Sequence, residues 1–213
     1  MIVVAVLNEK GGVGKTTLST HIARALQLDG ENVLLVDSDP QGSARDWHAM
    51  SGEGSDLPPL VALDRAALLA DVKRIGKSYS WVVIDGAPQA SDLSIAAIKN
   101  ADIVLIPVQP SPYDIWAADS LVQTVKARQE IANGQPKAAF IISRQIAGTK
   151  IAGEARHALE GYGLPIFESA TCQRVSYANT ASTGKTVLDL PSDVAAIQEI
   201  RALIAELKRY ASQ

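Results

Sequence analysis

The sequence predicts a single doubly wound α/β domain over residues 1–213, a mostly parallel sheet with helices on both faces, and three observations carry that prediction. Short apolar runs rich in Val, Ile and Leu recur along the chain, and they are apolar almost throughout, as strands covered on both faces are. Stretches with helical spacing separate most of them, which is the order that parallel strands and crossover helices require. The first run also leads directly into a Gly-rich segment that opens a helix, so a ligand-binding edge is expected at the carboxyl ends of the strands.

The runs are residues 2–7, 33–36, 60–63, 81–84, 103–107, 138–142 and 164–167. A helix is expected over 16–28, after the Gly-rich turn. Residues 51–59 are rich in Gly, Ser and Pro and read as a surface loop, not a linker. The last helix is expected over 192–210, with Ser192 as N-cap and Val194, Ile197, Ile200, Ile204 and Leu207 along one stripe. Its charges are mixed and no large aromatic lies on the stripe, so core packing is the better reading than a membrane surface.

Hydrophobic residues make up 47% of the chain and charged residues 20%, ordinary for a globular protein, and there is no low-complexity tail. Cys172 is the only cysteine, which excludes an intrachain disulfide and a cysteine-built metal cluster within one chain. The run 2–7 stops at Asn8, Glu9 and Lys10, far short of membrane-spanning length, so it reads as a buried strand, and a cytoplasmic location is expected. The net charge is −3, unevenly spread: residues 1–119 hold 9 Lys+Arg against 15 Asp+Glu, whereas residues 120–213 hold 11 against 8. The second part can present a basic face, although an ordinary solvated surface accounts for the same counts.

The strongest chemical signal is Lys10-Gly11-Gly12-Val13-Gly14-Lys15-Thr16-Thr17 between the first strand and the first helix. Glycines let the backbone curl until successive N–H groups point at phosphate oxygens, and the helix aims its positive dipole end at the same anion. Lys15 then neutralises β- and γ-phosphate charge, and the Thr16 hydroxyl can ligate Mg²⁺. Asp37-Ser38-Asp39-Pro40 follows the second strand and brings carboxylates to the same edge. Asp85 ends the apolar run 81–84 as a metal-supporting carboxylate would.

One departure is informative. The general phosphate-loop pattern asks for Gly five residues before Gly14, and this chain has Glu9 followed by Lys10. The Lys-Gly-Gly-x-Gly-Lys-Thr form resembles the deviant Walker A box of the ParA/MinD superfamily of P-loop ATPases. The resemblance spans nearly the whole chain, with the three nucleotide boxes specific and the last seventy residues much less so. With no helix-turn-helix extension before Ile2, it is nearest to the short partition ATPases. It implies ATP and Mg²⁺ as cofactors, a sandwich dimer formed with ATP, and Lys10 as the signature lysine that reaches the partner's nucleotide. It further implies Asp39 as the residue that orients the attacking water, Thr16 and Asp85 at the metal with Asp37 in its shell, and a second switch at Gly86-Ala87-Pro88. Pro107, Pro110 and Pro112 resemble the family's proline-rich loop, with Pro110 counted among the nucleotide contacts. After the sixth run the family often has an asparagine near the base; Ser143-Arg144 stands here, leaving Arg144 to stack or to contact partners.

The task implied is segregation of plasmid or chromosomal DNA. The ATP dimer would bind nonspecific DNA on the nucleoid, and an adaptor protein would stimulate hydrolysis and release. Lys150, Arg174, Lys185, Arg201, Lys208 and Arg209 are the candidate phosphate contacts. Two other readings share the scaffold, a MinD-like membrane-associated regulator and an ATP-dependent synthetase of small acids. No membrane partner is expected.

Overall fold

A computed structural model describes residues 1–52, 54–88, 92–190 and 192–213. In chain order the elements are β1 (Ile2–Val6), α1 (Lys15–Leu28), β2 (Val33–Asp37), α2 (Ser43–Ala49), β3 (Leu60–Ala62), the one-turn helices α3 (Ala66–Leu69) and α4 (Val72–Ile75), β4 (Trp81–Asp85), α5 (Asp92–Asn100), β5 (Ile103–Val108), α6 (Pro112–Ala117), α7 (Asp119–Ile131), β6 (Lys137–Ile142), α8 (Ile151–Glu160), α9 (Val175–Ala181) and α10 (Val194–Ser212).

The six strands form one sheet in the order β3-β2-β4-β1-β5-β6, with every pairing parallel. Apolar runs become buried strands because both faces are covered. Val3, Ala5 and Leu7 pack on one face with Ile98, Val122 and Leu159 of α5, α7 and α8. Val4 and Val6 pack on the other with Ile22 of α1 and Ile204 of α10. The chain leaves β1 toward β2 on one side and β5 toward β6 on the other, so the carboxyl ends of the adjacent strands β1 and β5 open a crevice.

The seventh expected strand does not form. Residues 164–167 make one parallel bridge, Phe140 to Ile166, beside β6. Pro165 has no N–H to donate. Beyond it, Arg156 takes the carbonyls of Phe167 and Glu168, and the Glu206 carboxylate takes the N–H groups of Glu168 and Ser169. Side chains therefore satisfy the backbone groups that a ladder would have used. The last helix is capped by Asp193 instead of Ser192, its carboxylate accepting from Ala196 N at 3.0 Å. Its core stripe is Ala196, Ile200, Leu203, Ile204 and Leu207, while Val194 is 61% exposed. No described helix is long and apolar enough to cross a membrane.

Candidate nucleotide site

Residues 8–14 turn over the sheet edge between β1 and α1. Gly12 and Gly14 have φ of +78° and +94°, a region that side chains with a Cβ disfavour, so these two glycines are required by the turn. Gly14 is the N-cap of α1 and no side chain caps the helix, which leaves the first N–H groups unspent. Lys15, Thr16 and Thr17 of that first turn line a cleft of about 960 Å³ that also takes in Asp39, Arg144, Thr171–Val175 and Tyr177. An uncapped helix end with its positive dipole facing an open cleft is suited to an anion.

Three side chains hold this loop from outside. Ser143 Oγ donates to Val13 O at 2.5 Å, while Gln109 Nε2 and Arg144 Nη1 donate to Gly12 O at 2.9 and 2.8 Å. Each peptide is planar and trans, so tying back these carbonyls turns the N–H groups of Val13 and Gly14 the opposite way. Arg144 itself sits at φ +54°, its N–H bonded to Thr171 Oγ1. It therefore contacts the phosphate loop, a role that sequence reasoning missed. Gln109 and Ser143 were legible only as the first polar residues after the apolar strands β5 and β6.

The Lys15 ammonium donates to Lys10 O at 2.9 Å, spanning the loop. Burial lowers its pKa, opposed by the charges of Asp85 and Asp39. The Thr16 hydroxyl donates to Asp85 Oδ2 at 2.8 Å and the Ser19 hydroxyl to Oδ1 at 3.0 Å. Asp85 is fully buried; burial pushes its carboxyl up to about 7, the nearby Asp37 charge adds to this, and the two hydroxyls oppose it. A hydroxyl beside a buried, charge-starved carboxylate fits Mg²⁺, which takes oxygen ligands and keeps waters and phosphates as the rest of its shell. Among the described residues no cluster of three or more His, Cys, Asp or Glu could hold a metal alone, so the donor set fits an ion that arrives with its nucleotide.

Asp37 lies opposite Asp85 in the β2–β4 register, and both of its oxygens are engaged within the protein. Oδ1 accepts from Asp39 N at 3.0 Å; Oδ2 accepts from Arg45 N at 3.0 Å and Arg45 Nε at 3.2 Å. Burial raises its pKa, against those backbone donors and the Arg45 charge. Its place is thus behind the Thr16–Asp85 pair and outside the cleft lining, where it fixes Asp39 and adds to the negative field on Asp85. Asp39 is 8% exposed, lines the cleft, and accepts from Gln41 N at 2.9 Å.

At the expected second switch, Gly86 is a packing residue. Its N–H donates to Val6 O at 3.1 Å, and a Cβ there would meet Leu7 Cδ2 at 2.4 Å. Ala87 is buried and Pro88 lines the cleft. Pro110 does not line it, although Gln109 beside it holds Gly12. Lys10 also lies outside the cleft lining; its ammonium is 2.8 Å from Asp114 Oδ2. Glu9, the departure from the general pattern, accepts from the Ser120 hydroxyl at 2.9 Å at the start of α7.

Among the candidate DNA contacts, Arg201 and Lys208 are paired with Asp29 at 2.6 and 2.8 Å, and Arg174 with Glu199 at 2.6 Å. Lys150, Lys185 and Arg209 make no ion pair among the described residues.

The chain is 30% identical over 207 residues to "Maintenance of carboxysome distribution protein A" of Halothiobacillus neapolitanus, covering 95% of this chain and 94% of that one. It is 28% identical over 214 residues to the chromosome-partitioning ATPase Soj of Thermus thermophilus, covering 86% of each. Its fold is similar to that of a Cyanothece McdA variant solved with ATP, with a TM-score of 0.80, 17% identity and coverage of 99% and 96%. Residues 4–210 match the CobQ/CobB/MinD/ParA nucleotide binding domain. With its uncapped phosphate loop and its all-parallel sheet, the chain belongs to this ParA/MinD family of P-loop proteins.

Proposed function

We propose that the chain is an ATP-hydrolysing positioning protein, a dimerising switch that spaces a cargo over a DNA surface. The observation that carries the reading is the constellation at the cleft. An uncapped α1 N-terminus with Lys15, a Thr16–Asp85 pair at 2.8 Å, and Asp39 on the cleft wall together form a site for a metal-bound triphosphate and its attacking water. Mg²⁺ on Thr16 and Asp85 would neutralise charge on the β- and γ-phosphates. The loop N–H groups and Lys15 bind the same phosphates, Asp39 orients a water, and Arg144, Ser143 and Gln109 keep the loop in its binding shape. Lys10, turned away from its own cleft, serves the nucleotide of a second copy.

Of the two relatives above, one is named for the distribution of carboxysomes and the other for chromosome partitioning. What they share is the spacing of a large cargo, and that shared element is the activity proposed here, with plasmid segregation as one narrower case. Such a switch requires only that the two nucleotide states differ in affinity for DNA and for an adaptor that triggers hydrolysis.

The test is fluorescence anisotropy on two unrelated duplexes with ATP, ADP and no nucleotide, across a salt series. ATP-dependent binding to both duplexes is expected, falling steeply with salt, and Lys15→Ala should abolish both nucleotide binding in calorimetry and the DNA signal. Equal DNA binding in every nucleotide state, or none with ATP at low salt, would reject the DNA surface. Undiminished ATP affinity in Lys15→Ala would reject the site.

A further inference from the structure

Among the described residues, Lys10 and Asp114 make the one ion pair that holds the phosphate loop, and it joins the loop to α6. Lys10 Nζ is 2.8 Å from Asp114 Oδ2, with the lysine side chain 39% exposed and the aspartate 5% exposed. The second carboxylate oxygen, Oδ1, is buried with no hydrogen-bond partner among the described residues. This carboxylate therefore depends on Lys10 for compensation, because a buried charge without a partner is costly. The same arm of the loop is tied at three more points. Asn8 Nδ2 donates to Pro107 O, Ser120 Oγ to Glu9, and Gln109 to Gly12 O. Of these groups Lys10 alone is a cation, and its side chain is substantially open to solvent.

We propose that Asp114 is an intrachain latch for Lys10, and that opening of this ion pair is the step that limits assembly of the nucleotide-bound dimer. The inference rests on the reading above in which Lys10 serves a second copy. While latched, the ammonium is spoken for by its own chain, and only the unlatched fraction is competent to reach across. An apparent dissociation constant scales inversely with the competent fraction, and a symmetric dimer needs two open latches. Tyr113 and Trp116, which flank Asp114 on α6, are 74% and 65% exposed and stack edge to face, so the latch lies under a surface open to a second copy.

The experiment is sedimentation velocity of full-length protein with Mg²⁺ and a non-hydrolysable ATP analogue, compared with Mg²⁺-ADP. Asp114→Asn keeps the shape and removes the charge, and Asp114→Leu fills the same buried volume with an apolar side chain. Both should tighten the dimer by about tenfold or more. Asp114→Glu, which restores a carboxylate, should return toward wild type, and ADP affinity should stay within twofold throughout. Lys10→Ala in the Asp114→Asn background should remove the tightening, because the latch acts through that lysine. Folded Asp114→Asn and Asp114→Leu proteins that dimerise as weakly as wild type, or more weakly, would overturn the latch while leaving the switch intact. Dimers in the Asp114 variants but not in wild type would support a strong latch. Nucleotide binding with no dimer in any variant would overturn the latch together with the switch.

Discussion

His21 makes the stability of the nucleotide helix depend on pH in a way that can be separated from every other group. The ring lies within α1 at 2% exposure, with Nδ1 2.7 Å from Thr17 O and Nε2 3.1 Å from Val187 N. A neutral imidazole satisfies both contacts, donating from Nδ1 to the carbonyl and accepting the Val187 N–H at Nε2. Protonation would set two N–H groups against each other, and burial holds the pKa down from 6.5 to about 4. Because the folded pKa lies below the unfolded one, the unfolded chain binds more protons between these values. The contribution of His21 is present above pH 6.5 and is lost as pH falls toward 4, about 3 kcal/mol in all and about 2 kcal/mol by pH 5. Asp85 titrates in the opposite sense: its carboxyl, raised to about 7, binds more protons in the folded state, so its effect is to favour the fold as pH falls through 7. The wild-type profile alone is therefore flattened by cancellation. The informative quantity is the gap in unfolding free energy between wild type and His21→Gln, measured by urea denaturation without nucleotide from pH 7.5 to 5. That gap should narrow by about 2 kcal/mol on going to pH 5. A gap independent of pH would refute a neutral, buried His21.

Three further outcomes follow from the site. Mg²⁺-ADP binding near pH 7 should release about half a proton, since Asp85, raised to about 7, must ionise beside the cation; calorimetry in two buffers of different ionisation enthalpy reads this, and identical heats would remove Asp85 from the metal position. Asp39→Ala should keep Mg²⁺-ATP affinity within a few-fold and lower turnover by at least about 100-fold in a phosphate-release assay, whereas wild-type turnover would strip Asp39 of its water-orienting role. Ser143→Ala leaves the Val13 carbonyl without its 2.5 Å donor, a loss of about 1–3 kcal/mol, and should lower the Tm of the nucleotide-free protein by at least about 2 °C and weaken ADP binding about tenfold; unchanged affinity would show that the loop keeps its shape unaided.

The nucleotide edge was legible because its signals are local. Gly12, Gly14, Lys15 and Thr16 all fall within the seven residues from Lys10 to Thr16, and the turn chemistry that requires them is written there. The strands were legible for a similar reason, since burial on both faces leaves no polar positions to confuse the pattern. What escaped depends on pairs distant in sequence. Asp114 and Lys10 are separated by 104 positions and Ser143 and Val13 by 130, and no periodicity connects them. The false strand at 164–167 is the converse case. Its apolar letters are real, and Phe167 is buried, but whether such a run joins a ladder is decided by Arg156 and Glu206, which occupy the backbone groups beyond it.

The ion pairs also change what the basic second part of the chain does. Three residues that composition offered as DNA contacts are instead tied to carboxylates, and two of those pairs brace α1. Arg201 and Lys208 of α10 close on Asp29, the C-cap of α1, and Arg24 within α1 is 2.8 Å from Asp189. With the His21–Val187 hydrogen bond, α1 is joined to the carboxyl-terminal part of the chain at three levels along its length. Its other end is the phosphate loop. One helix thus carries Lys15 and Thr16 at the cleft and is bonded to the elements that hold the charge excess of residues 120–213. Contiguity of this kind carries coupling only if the joined element has two arrangements that the ligand distinguishes. The Asp29 pairs offer a direct probe of that condition. They lie at the far end of α1, so Asp29→Asn should leave ADP affinity unchanged and alter DNA binding only in the ATP state, by releasing Arg201 to phosphate and loosening Lys208, which keeps Glu31 Oε1 at 3.9 Å.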